Sequence, residues 1–246
     1  MAFTGIFLIS LGMIALQILQ TRIFSFTLWH HLAYMVITVA LLGMGASGTW
    51  LAVRKKKPQR PYRFLAYASL GFSISTLASL ALALRIPLDT YMADKILQLG
   101  YIFLYYLILV FPYFFAGVVI SFMFSLIRER INVYYLSNLL GSAIGGLAIL
   151  PVMEKIGAEG AVIVTASSGI LASFFFIADK KDKHPFIITV LCLIIFTVIY
   201  PVKEKVLPVR SPVSKTLGAG FTLDPDQKVL YTKWDRVARI DVFENR

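Results

Sequence analysis

Residues 96–127 read ILQLGYIFLYYLILVFPYFFAGVVISFMFSLI and contain no Asp, Glu, Lys or Arg. An α-helix needs about 20 mostly apolar residues to cross the hydrocarbon core of a bilayer, so this run alone is long enough. The whole chain is 58% hydrophobic and 15% charged, whereas about 25% of the residues in a soluble domain are charged. The run and the composition together predict a membrane protein.

Six further runs lack the same four residue types, and all 13 carboxylates of the chain fall outside the seven runs. We therefore predict an all-α polytopic membrane bundle of about seven transmembrane helices over residues 1–202. The predicted helices cover 2–21, 31–53, 64–84, 96–127, 131–153, 160–178 and 185–202. The last run is short and is bracketed by Pro185 and Pro201, so whether it spans a bilayer is left open.

The basic residues indicate how such a bundle would be oriented. Six of the 24 Lys and Arg residues lie in Arg54–Arg63, between two apolar runs. With the amino terminus inside, the inner loops hold eleven basic residues and the outer loops four. The positive-inside rule then predicts an inner-membrane protein with a cytoplasmic amino terminus, and anionic lipid head groups at Arg54–Arg63. No basic patch on a soluble face indicates nucleic acid as a partner.

The composition changes after residue 202. Residues 203–246 carry nine Lys or Arg and six Asp or Glu, and KVLYTKW (228–234) and RVARIDVF (236–243) have the character of strands. Two strands do not make an independent core. We predict a linker followed by the first β-strands of a truncated soluble α/β domain that continues past Arg246.

Two glycine patterns predict close helix packing. Gly43, Gly45 and Gly48 have the G-x-G-x-x-G spacing of a dinucleotide-binding loop. That loop needs a strand before it and a helix after it, whereas these glycines end an apolar helical run. Small residues let membrane helices approach closely, so we assign these glycines and Ser47 to helix packing.

The second pattern is the G-x-x-x-G of Gly141 and Gly145, which predicts the same kind of packing. Asn138 lies one turn before it and is expected to seek a hydrogen-bond partner on another helix. Because such small-residue faces could also pack against a second copy of the chain, a homo-oligomer is one possible arrangement.

Few other polar groups could contact a substrate inside the bundle. The candidates are Arg22, at the end of the first run, and the adjacent His30 and His31. Neighbouring helical residues diverge by about 100°, so the two histidines are poorly placed to hold one metal ion. No set of residues has the spacing of a catalytic or metal site. We therefore predict no catalytic residue and no cofactor within residues 1–246.

Three stretches carry a family resemblance. They are LQTRIFSFTLWHHLAYMVITVALLGMGASGTWL (19–51), YYLSNLLGSAIGGLAILP (134–151) and YTKWDRVARIDVFE (231–244). Together they resemble bacterial spermidine-synthase-like integral membrane proteins, in which a membrane domain precedes a soluble aminopropyltransferase-like domain. The third stretch has Asp235 to Arg239 where that family commonly has Asn-x-x-Ser-Arg.

The resemblance implies a membrane domain that anchors a transferase domain and handles a polyamine or lipid-like substrate. The glycine-rich cofactor loop and the catalytic aspartates of that family would lie beyond Arg246. Two alternatives stay open: a transporter-like bundle acting alone, and a haem or quinone site that uses His30 or His31.

Overall fold

A computed structural model describes residues 1–28, 34–54, 58–86, 95–127, 130–177, 183–209, 229–235 and 239–243. In this part of the chain six long helices precede a two-stranded sheet. The long helices are α1 (Ala2–Thr27), α2 (Met35–Val53), α3 (Pro61–Ala83), α4 (Lys95–Leu126), α5 (Ile131–Ile177) and α6 (Lys183–Ile199). A 3₁₀ turn (Tyr200–Val202) and the short helix α7 (Lys203–Val206) follow.

The expected count of seven helices is therefore wrong, because the described residues form six helices long and apolar enough to cross a membrane. The runs predicted at 131–153 and 160–178 both belong to α5. Gly157 lies between them with φ 79° and ψ 167°, a backbone conformation that is not helical. We call residues 131–153 the first arm of α5 and residues 160–177 its second arm.

The first arm runs in the same direction as α1. The Ser137 hydroxyl donates a hydrogen bond to the Phe3 carbonyl oxygen over 2.6 Å. Two turns further along each helix, Gly145 lies directly against the Leu11 carbonyl. The two helices therefore advance side by side.

The second arm runs back along α1. Ser168 lies against Gly12, and Phe176 lies against Gly5, near the start of α1. The contacts thus return toward the beginning of α1 as the chain proceeds through the second arm. Because of the conformation of Gly157, α5 is a helical hairpin with α1 in contact with both arms.

The helix ends collect at two opposite ends of the bundle. At one end the start of α3 meets the start of α6, where the Tyr67 hydroxyl lies 3.3 Å from Nδ1 of His184. This basic end also carries Arg54, just after α2, and Arg60 and Arg63 at the start of α3. At the other end Arg85, just after α3, donates to the Lys205 carbonyl of α7 over 3.4 Å. The bend at Gly157 lies at this second end, which we call the cavity end.

The packing core lies where α1, α3, α4 and the second arm meet. Its largest fully buried side chains are aromatic or aliphatic, which suits helices that are apolar around much of their circumference. They include Phe24, Phe72, Tyr105, Tyr113 and Phe176. Many other large apolar side chains on α2, α6 and the first arm stay exposed.

The two predicted strands are present and pair with each other. β1 (Val229–Trp234) and β2 (Arg239–Phe243) form an antiparallel ribbon in which Trp234 lies opposite Arg239 and Tyr231 opposite Val242. Because side chains alternate between the two faces of a strand, Trp234 and Arg239 share one face. Tyr231, Ile240 and Val242 share the other.

Candidate functional site

The first arm makes the interhelical contacts that its sequence indicates. Asn138 accepts a hydrogen bond at Oδ1 from the Ser10 hydroxyl of α1 over 2.7 Å. A Cβ on Gly141 would collide with the Phe7 carbonyl, and one on Gly145 with the Leu11 carbonyl. The polar and small residues of this arm thus bring two helix backbones together, as small residues do in membrane bundles.

The glycines of α2 divide into two groups. Gly43 lies against the backbone of α4 near Tyr113, and Ser47 packs against Gly117 of the same helix. Contrary to expectation, a Cβ on Gly45 or Gly48 would have no atom of another described element within 4 Å. These two glycines lie on the outward side of α2, because a spacing of two or five residues turns them away from the side that Gly43 and Ser47 share.

Of the remaining candidates for substrate contact, only Arg22 lies among the described residues. Arg22 lies within the last two turns of α1, which continues to Thr27 rather than ending at residue 21. His30 and His31 lie outside the described residues, so the haem or quinone alternative stays untested. Among the described residues no group of three or more His, Cys, Asp or Glu side chains is placed to hold a metal ion.

A cavity of about 630 Å³ opens at the cavity end, between the bend of α5, the segment around α7, and the ribbon. Four basic and three acidic side chains line it, a mixture found nowhere inside the predicted spans. They are Lys155, Lys203, Lys233, Arg239, Glu154, Glu159 and Glu204. Sequence reasoning did not single out this site, because its residues come from three separate parts of the chain.

The ribbon is held beside this cavity by aromatic and cationic contacts with α1. Trp234 meets Phe26 edge to face, with ring centroids 5.7 Å apart. The Arg239 guanidinium lies 4.8 Å from the Phe26 ring centre and donates to the Val209 carbonyl over 2.6 Å. Trp234 is only 6% exposed, so the end of the ribbon is packed against the bundle.

One buried donor in the cavity wall has no hydrogen-bond partner among the described residues. The Trp234 indole Nε1 makes no hydrogen bond with any described residue. A buried polar group without a partner costs about 1–3 kcal/mol, and such groups in native structures call for a specific explanation. The neighbouring Cδ1 of the indole lies 3.8 Å from the position that a Cβ would take on Gly157. This edge of the indole therefore faces the bend of α5.

The Glu159 carboxyl lies on the other side of the same point. Its Oε2 is 3.2 Å from the Cβ position of Gly157, in the bend and outside both arms. Burial raises the pKa of this carboxyl above its ordinary value, although a backbone hydrogen bond and the charges of Arg239 and Lys203 act in the opposite direction. The favourable interactions of the Glu159 carboxylate therefore do not fully offset the cost of removing its charge from water.

Lys203 connects the wall of the cavity to the bend. Its Nζ donates to the Ile156 carbonyl over 2.8 Å and lies 5.1 Å from the centre of the Tyr200 ring. A second, mostly apolar groove of about 260 Å³ begins at Tyr200 and runs between the second arm and α6. Its lining includes Ile163, Ser167 and Phe196.

The centre of the bundle holds a separate polar group. Tyr113 of α4 donates to Gln20 Oε1 of α1 over 2.7 Å, and both side chains are fully buried. Gln20 Nε2, Thr76 Oγ1 and Thr165 Oγ1 are buried without a hydrogen-bond partner among the described residues. These side chains place polar atoms within an otherwise apolar bundle.

Comparison of the chain with protein-family profiles, curated proteins and solved structures finds no match in any of the three.

Proposed function

We propose that this chain is a multi-pass membrane domain that anchors a soluble aminopropyltransferase-like domain, as in the spermidine-synthase-like proteins that its sequence resembles. The observation that carries this proposal is the ribbon at the cavity end. One face of the ribbon is fixed to α1 through Trp234 and Arg239. Its opposite face leaves Tyr231 55% exposed and Ile240 52% exposed.

A ribbon of this kind supports an anchoring role for two reasons. An isolated pair of strands is at best marginally stable in water, and exposed apolar side chains on one face favour a further layer that covers them. The contacts of Trp234 and Arg239 would hold the first strands of such a domain in a fixed orientation on the bundle. The anchored domain would then extend outward from the exposed face.

Insertion into a bilayer is supported by the six apolar helices of the described residues and by the basic end. The positive-inside rule favours the basic end on the cytoplasmic side. The amino terminus would then be cytoplasmic, and the cavity and the ribbon would lie on the opposite side of the inner membrane.

The decisive test of the anchored domain is the coding sequence after Arg246. A reading frame that continues into further strands and a glycine-rich loop followed by a helix would support the proposal. A stop codon immediately after Arg246 would overturn it, since the ribbon would then have no domain to carry.

Cysteine labelling in cells tests the orientation. In a Cys192→Ser background, Arg60→Cys reports on the basic end and Lys155→Cys on the cavity end. A maleimide that does not cross the membrane should label Lys155→Cys in intact cells and Arg60→Cys only after lysis. Labelling of Arg60→Cys in intact cells, with Lys155→Cys protected, would reverse the proposed orientation.

Transport is the second candidate, favoured by the polar groups at the centre of the bundle. Gln20 and Thr165 carry buried atoms without partners among the described residues, and polar groups in membrane helices often mark a substrate path. Saturable uptake of labelled polyamine into vesicles, lost in Gln20→Leu and retained in Asn138→Leu, would support it. No uptake above protein-free vesicles would exclude polyamine transport.

A further inference from the structure

We propose that the cavity end binds one phospholipid with a zwitterionic amine–phosphate head group, as in phosphatidylethanolamine. The head group occupies the cavity between the bend of α5 and the ribbon. One acyl chain occupies the groove between the second arm and α6. The inference rests on the membrane insertion proposed above, and it goes beyond that proposal in assigning a ligand and a site.

The cavity and the groove lie next to each other along two helical faces. Glu159 lines the cavity and Ile163 lines the groove, and residues four apart lie on the same face of a helix. On the other wall, Tyr200 lines the groove and Lys203 lines the cavity, with the Lys203 ammonium 5.1 Å from the Tyr200 ring centre. A polar space thus lies beside an apolar one, which matches the polar head group and the apolar chains of a phospholipid.

The cavity offers partners for both charges of the head group. Glu159 Oε2 and the Cδ1 edge of the Trp234 indole lie 3.2 Å and 3.8 Å from one point, the Cβ position of Gly157. An ammonium bound there donates to the Glu159 carboxylate, and a neighbouring phosphate oxygen accepts from the unpartnered Trp234 N–H. Lys155 and Lys233, on the same walls, add positive charge near the phosphate.

The charges of the lining favour this head group over other common ones. Three carboxylates stand beside four cations, so a purely anionic head group such as phosphatidylglycerol gains from the cations and is repelled by Glu154, Glu159 and Glu204. A choline head group carries a charge but no N–H, so it cannot donate to Glu159. An ethanolamine head group satisfies both the donor and the acceptor requirements.

The lack of a side chain at Gly157 also suits this site. A side chain on Gly157 would point between Glu159 and Trp234 and would occupy the space assigned to the head group. The same glycine supplies the φ of 79° that reverses α5. The reversal and the ligand space therefore depend on one residue.

The test measures lipid binding to the purified protein in nanodiscs made of phosphatidylcholine. Trp29→Phe and Trp50→Phe leave Trp234 as the only one of the three tryptophans, and its emission reports on the cavity. Addition of phosphatidylethanolamine should shift this emission at a concentration at least about tenfold lower than phosphatidylglycerol needs. Native mass spectrometry should find one phosphatidylethanolamine retained per chain.

Three variants separate the parts of the site. Glu159→Gln should weaken phosphatidylethanolamine binding about tenfold, the effect of losing one charge-assisted hydrogen bond. Ser167→Phe fills the groove and should weaken binding of the lipid, but not of free phosphoethanolamine. Arg63→Gln removes a charge at the basic end and should leave binding unchanged.

The outcomes are distinguishable from one another. Equal affinity for phosphatidylethanolamine and phosphatidylglycerol, or equal affinity for the lipid and free phosphoethanolamine, would overturn the assignment. A protein that enters nanodiscs and shows no lipid preference would overturn this inference alone. A protein that cannot be reconstituted into a bilayer would contradict the proposed membrane function itself.

Discussion

The two arms of α5 have similar lengths and similar apolar content, yet they pack in different ways. The first arm contacts α1 through close backbone approach at Gly141 and Gly145 and through the Ser10–Asn138 hydrogen bond. Much of its remaining surface is exposed, including Leu147 at 78%. The second arm lies among α1, α3 and α6, and most of its side chains are buried.

The difference shows how the number of neighbours determines the kind of contact. A helix with several neighbours is held by many ordinary van der Waals contacts, each of them small. The first arm relies mainly on its interface with α1, besides the ring contact of Tyr135 with Phe124 of α4, so this interface is close and includes directional contacts. Small residues and polar side chains provide these contacts.

The largest expected loss of stability comes from a substitution that separates the first arm from α1. Gly141→Leu forces a side chain into the Phe7 carbonyl, and we expect a loss of about 3 kcal/mol in the free energy of unfolding. Gly45→Leu is the matched control, because no described atom of another element lies within 4 Å of its Cβ position. Reversible unfolding in mixed detergent micelles measures both, and equal losses would contradict the packing assigned to the first arm.

The next effect concerns the connection between the arms. Gly157→Ala introduces a Cβ at φ 79° and ψ 167°, a conformation that is nearly restricted to glycine, at a cost of about 1–3 kcal/mol. Gly146→Ala is the control, since its Cβ would make ordinary contacts of 3.7 and 3.8 Å within a regular helix. The same unfolding measurement applies, and a neutral Gly157→Ala would show that the reversal does not need this backbone conformation.

A smaller effect is expected from the hydrogen bond of the first arm. Removing the Ser10–Asn138 interaction should cost about 0.6 kcal/mol, the average for such bonds between membrane helices. The double-mutant cycle of Ser10→Ala and Asn138→Ala isolates this coupling energy. A coupling energy of zero would show that this hydrogen bond does not stabilise the interface between the first arm and α1.

The smallest effect is a change in pH dependence at the bend. Burial raises the pKa of Glu159, so the folded protein binds the proton more tightly than the unfolded chain does. This contribution to stability is present below the ordinary pKa and is lost as the pH rises through the raised value. The Glu159→Gln variant should therefore have a higher free energy of unfolding than the wild type at neutral pH. This difference should decrease as the pH is lowered toward 4. A difference that is independent of pH would contradict this account.

Much of the fold follows from the sequence because charge-free runs have a simple physical meaning. Each predicted run lies largely within a helix, and the strand pattern after residue 202 corresponds to the ribbon. The charged residues between 153 and 160 separate the runs at 131–153 and 160–178, but charge does not show that the residues on either side of Gly157 are helical, so that both runs belong to α5. This is why the helix count differs.

The candidate site follows from the sequence much less well. The G-x-x-x-G of Gly141 and Gly145 and the isolated Asn138 could be recognised, because a single neighbouring helix satisfies both. The outward position of Gly45 and Gly48 could not, since it depends on where α4 lies. The sequence does not reveal the cavity, because Glu159, Lys203 and Arg239 are far apart in the chain and come together only in the folded bundle.

The reversal at Gly157 also has a topological consequence. In a bilayer, an odd number of crossings places the two termini on opposite sides, and an even number places them on the same side. If the six long helices of the described residues cross a bilayer, the hairpin of α5 would supply two crossings and so make the number odd. In that arrangement the backbone conformation of Gly157 would determine the side of the bilayer on which the ribbon lies.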